Sequence, residues 1–131
     1  MSLNVAELVD YAAVAAPDKV GVVCEETRMT FSELAGAANR VANALAELGV
    51  SRGDRVMVML PNVPQFPVIY YGILKAGAVA VPINPVLRKR EIARRINDCG
   101  ARVLFAWRDT LEEAEKAFDA CDACAHLVVV E

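Results

Sequence analysis

Hydrophobic residues along this chain form short runs that alternate with stretches of helical spacing. Arg55–Leu60 is an apolar, largely β-branched run between turn-forming residues, and this pattern predicts a strand buried on both faces. Apolar residues at helical spacing then continue from Phe66 to Leu74, and Gly77 is placed to end a helix in the left-handed conformation. Ala78–Ile83 is a second apolar run. The stretch 53–85 therefore predicts a strand, a helix and a parallel strand.

Further helices are predicted from residue pairs that suit a reciprocal cap at a helix N-terminus. The four pairs are Asn4 with Glu7, Thr30 with Glu33, Asn62 with Gln65, and Thr110 with Glu113. A charged helix is predicted over Lys89–Cys99, with Ile92 and Ile96 on its buried side and Gly100 at its end.

Four more runs predict strands. Val20–Cys24 and Arg28–Phe31 flank a polar turn and predict a β-hairpin, whereas Arg102–Trp107 and Leu127–Val130 predict two more buried strands. Strands alternating with helices predict an α/β fold, an open, mostly parallel sheet with helices on both faces and an N-terminal hairpin. We expect residues 1–131 to form a single α/β domain or subdomain.

Composition narrows the functional classes. The chain has 131 residues, is 56% hydrophobic with mean hydropathy +0.33, and carries a net charge of −3. That charge gives no indication of nucleic-acid binding, and no apolar run is long enough to span a bilayer. The N-terminal residues lack the pattern of a signal peptide, so we expect a cytoplasmic protein whose four cysteines are reduced.

The candidate metal or redox residues are Cys121, Cys124 and His126, with Cys99 or Cys24 as a fourth ligand. Cys121 and Cys124 stand where a helix runs into a strand, and a redox Cys-x-x-Cys belongs at a helix N-terminus. We therefore expect packing cysteines and no bound metal. The glycines form neither a dinucleotide-binding pattern nor a phosphate-binding loop, so we expect no cofactor on these residues.

One cluster is strongly basic and comprises Arg88, Lys89, Arg90, Arg94 and Arg95. Acidic lipid headgroups or a phosphorylated ligand are possible partners, and weak peripheral membrane contact is one hypothesis. We favour a solvated helix face instead. Lone His126 and the turn pair Glu25-Glu26 suggest structural residues rather than an acid–base set.

Several segments resemble the start of acyl-CoA synthetases in the adenylate-forming, AMP-binding superfamily. The similarity runs from about Leu3 to Glu131 and rests on these segments in order: Met29-Thr30-Phe31-Ser32-Glu33-Leu34, Gly53-Asp54-Arg55-Val56, Leu60-Pro61-Asn62, Leu74-Lys75-Ala76-Gly77, Val81-Pro82-Ile83-Asn84-Pro85 and Asp98-Cys99-Gly100-Ala101. The resemblance implies part of a larger N-terminal domain. It also implies that a carboxylic acid, a fatty or aryl acid, attacks ATP to give an acyl-adenylate, from which coenzyme A thiol displaces AMP.

The resemblance further implies ATP, magnesium and coenzyme A as ligands of the whole enzyme. Its phosphate loop, acidic magnesium and ribose ligands and catalytic lysine are absent from this sequence, so we expect the 131-residue chain alone to be inactive. No residue here is predicted to be catalytic; Lys75 is read as complementing a helix dipole.

The sequence suggests two alternatives to a ligase. One is a stand-alone α/β binding or scaffold module. The other is a receiver-like signalling domain, which needs an acidic pair after the first strand and an acceptor Asp at a later strand end, and Leu60-Pro61-Asn62 and Ile83-Asn84-Pro85 offer neither. The runs predicted as strands are apolar on both faces, so each requires helices packed above and below the sheet. The resemblance implies that a second subdomain normally covers one face of this sheet. Without that subdomain an apolar face would be exposed, so we expect the chain to self-associate.

Overall fold

The computed structural model describes residues 3–131. These residues divide into two compact units. The first unit holds residues 3–52 with Asn62–Ala78, and the second holds Gly53–Pro61 with Val79–Glu131. Within the described residues, no helix is long and apolar enough to cross a membrane.

The first unit consists of three helices and a hairpin, with the elements α1 (Glu7–Ala15), β1 (Val20–Cys24), β2 (Thr27–Thr30), α2 (Phe31–Glu47) and α3 (Gln65–Lys75). β1 and β2 pair antiparallel, as the sequence predicted. Their turn places Glu25 at a φ of 52°, a left-handed conformation that a non-glycine residue adopts uncommonly.

Helix α2 begins with the predicted reciprocal cap. The Thr30 hydroxyl accepts a hydrogen bond from the Glu33 backbone N–H at 3.1 Å, and the Thr30 N–H donates to a Glu33 carboxylate oxygen at 3.2 Å. Two backbone donors that the helix cannot satisfy itself thereby gain partners. This prediction is confirmed.

Helices α2 and α3 approach closely at Gly72. A Cβ atom on Gly72 would lie 2.5 Å from Cβ of Val41 and 3.0 Å from the carbonyl oxygen of Ala38. Glycine is therefore required by packing at this point of α3, since a larger residue would have to push the helices apart. Leu45 and Ile73 are among the fully buried side chains of this unit.

The second unit is built on four parallel strands in the order β4-β3-β5-β6. Its elements are β3 (Arg55–Met59), β4 (Val79–Pro82), α4 (Lys89–Cys99), β5 (Val103–Trp107), a short 3-10 helix (Arg108–Thr110), α5 (Leu111–Asp119) and β6 (His126–Val130). The parallel sheet and the antiparallel hairpin confirm the predicted α/β fold class.

Burial in this sheet depends on strand position. Val56–Met59 of β3 are fully buried, and two of them, Met57 and Met59, share one core with Ile92 and Ile96 of α4. Val79 of β4 and Val129 of β6 are exposed. The prediction that Ala78–Ile83 and Leu127–Val130 are buried on both faces is therefore wrong, because both strands lie at sheet edges, where only one side has a neighbouring strand.

Two predicted caps at the starts of helices α1 and α3 do not form. Helix α3 begins at Gln65 with Pro64 in the cap position, so Asn62 lies too early to cap it. Helix α1 begins at Glu7, after Ala6 in the cap position. The Ala6 backbone N–H donates to the side-chain oxygen of Asn4 at 2.9 Å. In both cases the chain makes a further turn between the polar residue and the helix.

The prediction that Thr110 and Glu113 cap helix α5 is also wrong, because Glu113 binds another part of the chain. The Thr110 hydroxyl donates to the Trp107 carbonyl at 3.4 Å, within the 3-10 turn that precedes α5. A Glu113 carboxylate oxygen instead accepts the Lys89 backbone N–H at 2.7 Å. Glu113 therefore stabilises the N-terminus of α4, where a negative charge is favourable.

Candidate functional site

The carboxyl ends of the parallel strands form the candidate site of the second unit. The next strand after β3, β4, pairs on one side of it, and β5 then pairs on the other side, followed by β6. Ligands of open parallel sheets bind at carboxyl ends where the strand order reverses in this way. Here the reversal lies between β3 and β5. We call Leu60, Asn84, Trp107, Arg108 and Asp109, which follow or end these strands, the carboxyl edge.

Three residues of the carboxyl edge bind one another. The Trp107 indole N–H donates to an Asp109 carboxylate oxygen at 3.2 Å. The Arg108 guanidinium carbon lies 5.8 Å from the Trp107 ring centroid, and Arg108 Nε lies 3.5 Å from the other Asp109 oxygen. Arg108 therefore lies over one face of the indole ring in a cation–π contact, while the two charged side chains remain exposed. It contains no hydroxyl or thiol nucleophile beside a base.

Sequence reasoning missed this group. It treated Trp107 only as the last residue of a strand and gave Arg108 and Asp109 no role. An aromatic residue followed by two opposite charges at the carboxyl end of a buried strand is the signal that was available.

Beside the carboxyl edge lies a cleft of about 270 Å³, lined by Pro85–Arg88 and by residues 109–113 except Leu111. Its charges are Arg88 against Asp109, Glu112 and Glu113. Lys116 lowers the pKa of Glu112 by a hydrogen bond and by its charge, so this carboxylate stays ionised. The cleft is more acidic than basic and does not suit an anionic ligand by charge alone.

The cysteines of the candidate metal site are buried in the core of the second unit. The Cys121 thiol donates to the Ala93 carbonyl at 3.6 Å, and the Cys124 thiol donates to the His126 carbonyl at 3.7 Å. Burial raises the pKa of Cys121, and burial raises the pKa of Cys124 to about 11. Because thiolates, not thiols, bind metals and attack electrophiles, these groups are poorly suited to either task. Within residues 3–131, no three His, Cys, Asp or Glu side chains are placed to hold a metal ion.

The other cysteines lie elsewhere. Cys99 ends α4, where its thiol donates to the Ile96 carbonyl at 3.9 Å. Cys24 belongs to the first unit, at the end of β1, and its thiol donates to the Asn62 carbonyl at 3.7 Å. Each of these two thiols therefore has a backbone carbonyl as its hydrogen-bond partner.

The basic cluster follows the exposed side of α4. Arg88, Lys89, Arg90, Arg94 and Arg95 are all exposed. Arg94 lies 3.9 Å from Asp98, and these two residues line a shallow depression with Glu91 and Arg95. Alternating charges on one helix face are typical of a solvated surface, and exposed pairs of this kind contribute little to stability.

Lys75 has a structural setting in the first unit. Its ammonium donates to a carboxylate oxygen of Asp10 on α1 and, at 2.7 Å, to the side-chain oxygen of Asn39 on α2. Lys75 itself is the last residue of α3, so one side chain joins three helices. The predicted place in the last turn is confirmed, but its two hydrogen-bond partners were not visible from the sequence.

A protein-family model described as AMP-binding enzyme matches residues 9–131 of the chain. The chain belongs to the AMP-binding enzyme family. Triostin synthetase I of Streptomyces triostinicus is 45% identical over 92 residues, which cover 70% of this chain and 17% of that protein. A long-chain-fatty-acid–CoA ligase of Salmonella typhimurium is 34% identical over 117 residues, which cover 88% of this chain and 21% of that enzyme.

Solved structures agree with this membership. The anthranilate CoA ligase AuaEII, in complex with anthranoyl-AMP, superposes with a TM-score of 0.93 at 30% identity, covering 98% of this chain and 25% of that one. The fold of this AMP-binding family member is thus that of the corresponding part of an acyl-CoA ligase. The chain spans about a fifth of the length of the curated relatives described above.

Two segments of the sequence resemblance, Met29–Leu34 and Leu74–Gly77, have residues with structural roles in this family member. Thr30 and Glu33 cap α2, and Lys75 joins α3 to α1 and α2. Gly77 follows α3 with a φ of 76°, which favours glycine. These four residues therefore have structural roles that involve no ligand.

Proposed function

We propose that this chain is part of an AMP-forming acid–CoA ligase. In the proposed reaction, a carboxylate oxygen attacks the α-phosphorus of ATP, giving an acyl-adenylate and pyrophosphate. The thiol of coenzyme A then attacks the acyl carbonyl carbon and AMP leaves. The observation that carries the proposal is the match of 98% of this chain to an anthranilate CoA ligase, together with the family membership.

A fatty acid is the proposed substrate. The support is the similarity of 88% of the chain to a long-chain-fatty-acid–CoA ligase. The aryl acid of the anthranilate CoA ligase is the second candidate, because that enzyme shares the fold of this chain at 30% identity.

We propose that ATP and magnesium bind outside the residues described here. Among residues 3–131, no acidic group of three is placed to hold a metal ion. Gly49, Gly77 and Gly100 have positive φ angles just after helix ends, so they serve helix termination rather than a phosphate-binding loop. We therefore assign no step of the reaction to these residues, and we place the ATP, magnesium and coenzyme A sites in other parts of the protein.

The proposed contribution of this chain is a scaffold with a recognition edge. The parallel sheet fixes the carboxyl edge, where Trp107, Arg108 and Asp109 are held by mutual contacts. Sheet edges of this kind border ligands in α/β proteins. A carboxylic acid is the proposed small-molecule partner of the whole protein, and nucleic acid is not expected as a partner.

The experiment is a coupled assay of the polypeptide encoded by the whole reading frame. Pyrophosphate release should depend on added fatty acid, and mass spectrometry should detect the acyl-CoA only when coenzyme A is present. An acid panel from short-chain to long-chain, with benzoate and anthranilate, ranks the substrates by kcat/KM. The absence of acid-dependent pyrophosphate release with every acid would contradict the proposal and favour the stand-alone scaffold.

The 131-residue chain alone provides the matched control. Its acid-dependent pyrophosphate release should stay at background, because positioning and charge stabilisation of phosphates require groups that these residues do not supply. Activity that rises in proportion to the purity of the chain would overturn this assignment.

Location and assembly complete the proposal. We place the protein in the cytoplasm and expect the exposed basic residues of α4 to form a solvated helix face, with weak peripheral membrane contact as the alternative. We also propose that the chain self-associates through exposed apolar surface, of which the first unit carries several residues near its N-terminus. Cell fractionation and vesicle co-sedimentation test the first two points.

A further inference from the structure

Helix α1 and the residues before it are attached to the first unit by few side chains. We call residues 3–15, all of which the structure describes, the strap. Within the strap only Ala6 and Val9 are buried, and Val9 packs against Leu34 of α2. The large apolar side chains of α1 are exposed and add nothing to this attachment, namely Leu8, Tyr11 and Val14.

Two cavities adjoin the strap within the first unit. One, of about 550 Å³, lies between the start of the strap and Leu74–Ala78 at the end of α3. The other, of about 290 Å³, lies between Leu8 and Val9 of α1 and residues of β1, α2 and α3. A side chain that borders a cavity has no partner atoms on that side, so dispersion attraction is lost there. The strap is therefore held weakly by packing.

Helices α2 and α3 are joined more tightly. Ala38 and Leu45 of α2 are buried, as are Ile69 and Ile73 of α3, and Gly72 lets the two helices approach closely. Elements with few buried apolar contacts open at a lower free energy than core elements do. The strap should therefore open more readily than α2 and α3.

Two polar contacts tie the strap to the end of α3. The Asn4 side-chain amide donates to the Leu74 carbonyl at 2.6 Å, and the Asp10 carboxylate accepts from the Lys75 ammonium. The Lys75 side chain is only 10% exposed in this arrangement. When the strap opens, Lys75 loses Asp10 and its ammonium becomes accessible to water.

We propose that the strap detaches from α2 and α3 as one unit while these helices stay folded, and that this opening controls the access of acylating groups to Lys75. The detached strap also loses its helix, because α1 has nine residues and isolated helices of that length are marginal in water. Ala6, in the cap position, has no side-chain oxygen to hold the first turn. The opening requires no ligand and does not rest on the ligase reaction.

Hydrogen exchange of the 131-residue chain tests the separate opening. It is measured at a concentration at which sedimentation velocity shows a monomer, so that self-association does not cover the strap. Amides of Glu7–Ala15 should exchange faster than those of α2 and α3. Their exchange should also respond little to added urea, because a local opening exposes little surface.

Ile73→Val distinguishes local from global opening. It removes one buried methyl group from α3, so it should speed exchange in α2 and α3 by roughly two- to tenfold. Exchange in α1 should not change, since the strap opens without unfolding α3. Equal acceleration in α1 would show that the strap opens only with the whole unit, and would overturn the proposal.

Acetylation of Lys75 tests the gate, with the N-hydroxysuccinimide ester of acetic acid as the probe. The deprotonated Lys75 amine attacks the ester carbonyl, an amide forms, N-hydroxysuccinimide leaves as its anion and the amine proton passes to solvent. Asn4→Ala removes one tether and should raise the acetylation rate of Lys75 about fivefold. Peptide mass mapping measures this rate, and exposed Lys116 should react equally fast in all variants.

Asn97→Ala is the matched control, because Asn97 is exposed on α4 in the second unit. Its Lys75 acetylation should equal that of the wild-type chain, and circular dichroism checks that every variant is folded. Lys75 that reacts as fast as Lys116 in the wild-type chain would show that the strap does not protect it. An unchanged Lys75 rate in Asn4→Ala would likewise overturn the gate.

Discussion

Lys75 offers the sharpest test of how the first unit is held together. Its side chain is 10% exposed, whereas that of its partner Asp10 is 52% exposed. The ammonium also donates to Asn39 at 2.7 Å. The two ends of the ion pair therefore differ in their access to water. Removing one end should not have the same effect as removing the other.

The magnitudes follow from that asymmetry. Asp10→Ala leaves a largely buried ammonium with only Asn39, and we expect a loss of about 2 kcal/mol, below the value for a fully buried pair because Asp10 is half-exposed. Lys75→Met keeps the apolar stem and leaves Asp10 free to be hydrated, so we expect a loss of about 1 kcal/mol. The double variant should show a coupling of about 1 kcal/mol.

The assay is urea unfolding followed by two probes. All three tyrosines, Tyr11, Tyr70 and Tyr71, lie in the first unit, and the single tryptophan, Trp107, lies in the second. Near-ultraviolet dichroism of tyrosine and fluorescence of tryptophan therefore separate the two units. The shift should be larger in the tyrosine signal.

Lys116→Met is the control for Lys75→Met. Lys116 is exposed on α5, and its ammonium lies 2.9 Å from a Glu112 carboxylate oxygen. The substitution therefore removes a lysine–carboxylate pair that is already solvated by water. Its unfolding midpoint should equal that of the wild-type chain. The reasoning is refuted if Asp10→Ala destabilises no more than Lys75→Met, or if the Asp10 and Lys75 changes are additive.

Three further predictions concern packing, thiol protonation and a helix cap. Gly72→Ala should destabilise the chain by about 1–3 kcal/mol through overpacking against α2, as measured by the midpoint of urea unfolding. Gly36→Ala, whose Cβ would meet no atom closer than 3.8 Å, should instead raise that midpoint slightly. Cys124, whose pKa is raised to about 11, should be alkylated far more slowly than Cys99 at pH 8, as measured by peptide mass mapping; equal labelling of the two thiols would contradict this. The free energy of unfolding should also fall as pH rises from about 9 to about 11, because the folded state holds the Cys124 proton more tightly than the unfolded state does. Glu113→Ala should lower stability by about 1 kcal/mol and raise hydrogen exchange in the first turn of α4, and unchanged exchange there would reject the cap.

Local sequence determined those elements whose signals are complete within a few residues. The Thr30–Glu33 cap forms as predicted, and Lys89–Cys99 has the predicted bounds, with Gly100 left-handed at its end. The reason is that a capping box and a helix-ending glycine involve only backbone groups within one turn. The α/β class follows likewise from the alternation of strand runs with helical stretches.

The same local pattern failed where distant residues competed for the side chains. Thr110 and Glu113 match the capping pattern as well as Thr30 and Glu33 do, yet Glu113 binds the Lys89 backbone, 24 residues away. Lys75 likewise finds Asp10 and Asn39, which are 65 and 36 residues away in sequence. Spacing along the chain contains no information about such partners, because they meet only when helices pack.

Strand order is the other feature that the tertiary structure decided. The apolar runs of β3 and β4 look alike in sequence, but β3 has neighbours on both sides and is buried, whereas β4 is an edge strand with Val79 exposed. The order also placed Trp107, Arg108 and Asp109 at the reversal between β3 and β5. An apolar run indicates that burial of the strand is favourable. Which strands lie beside it depends on the path of the whole chain through the sheet.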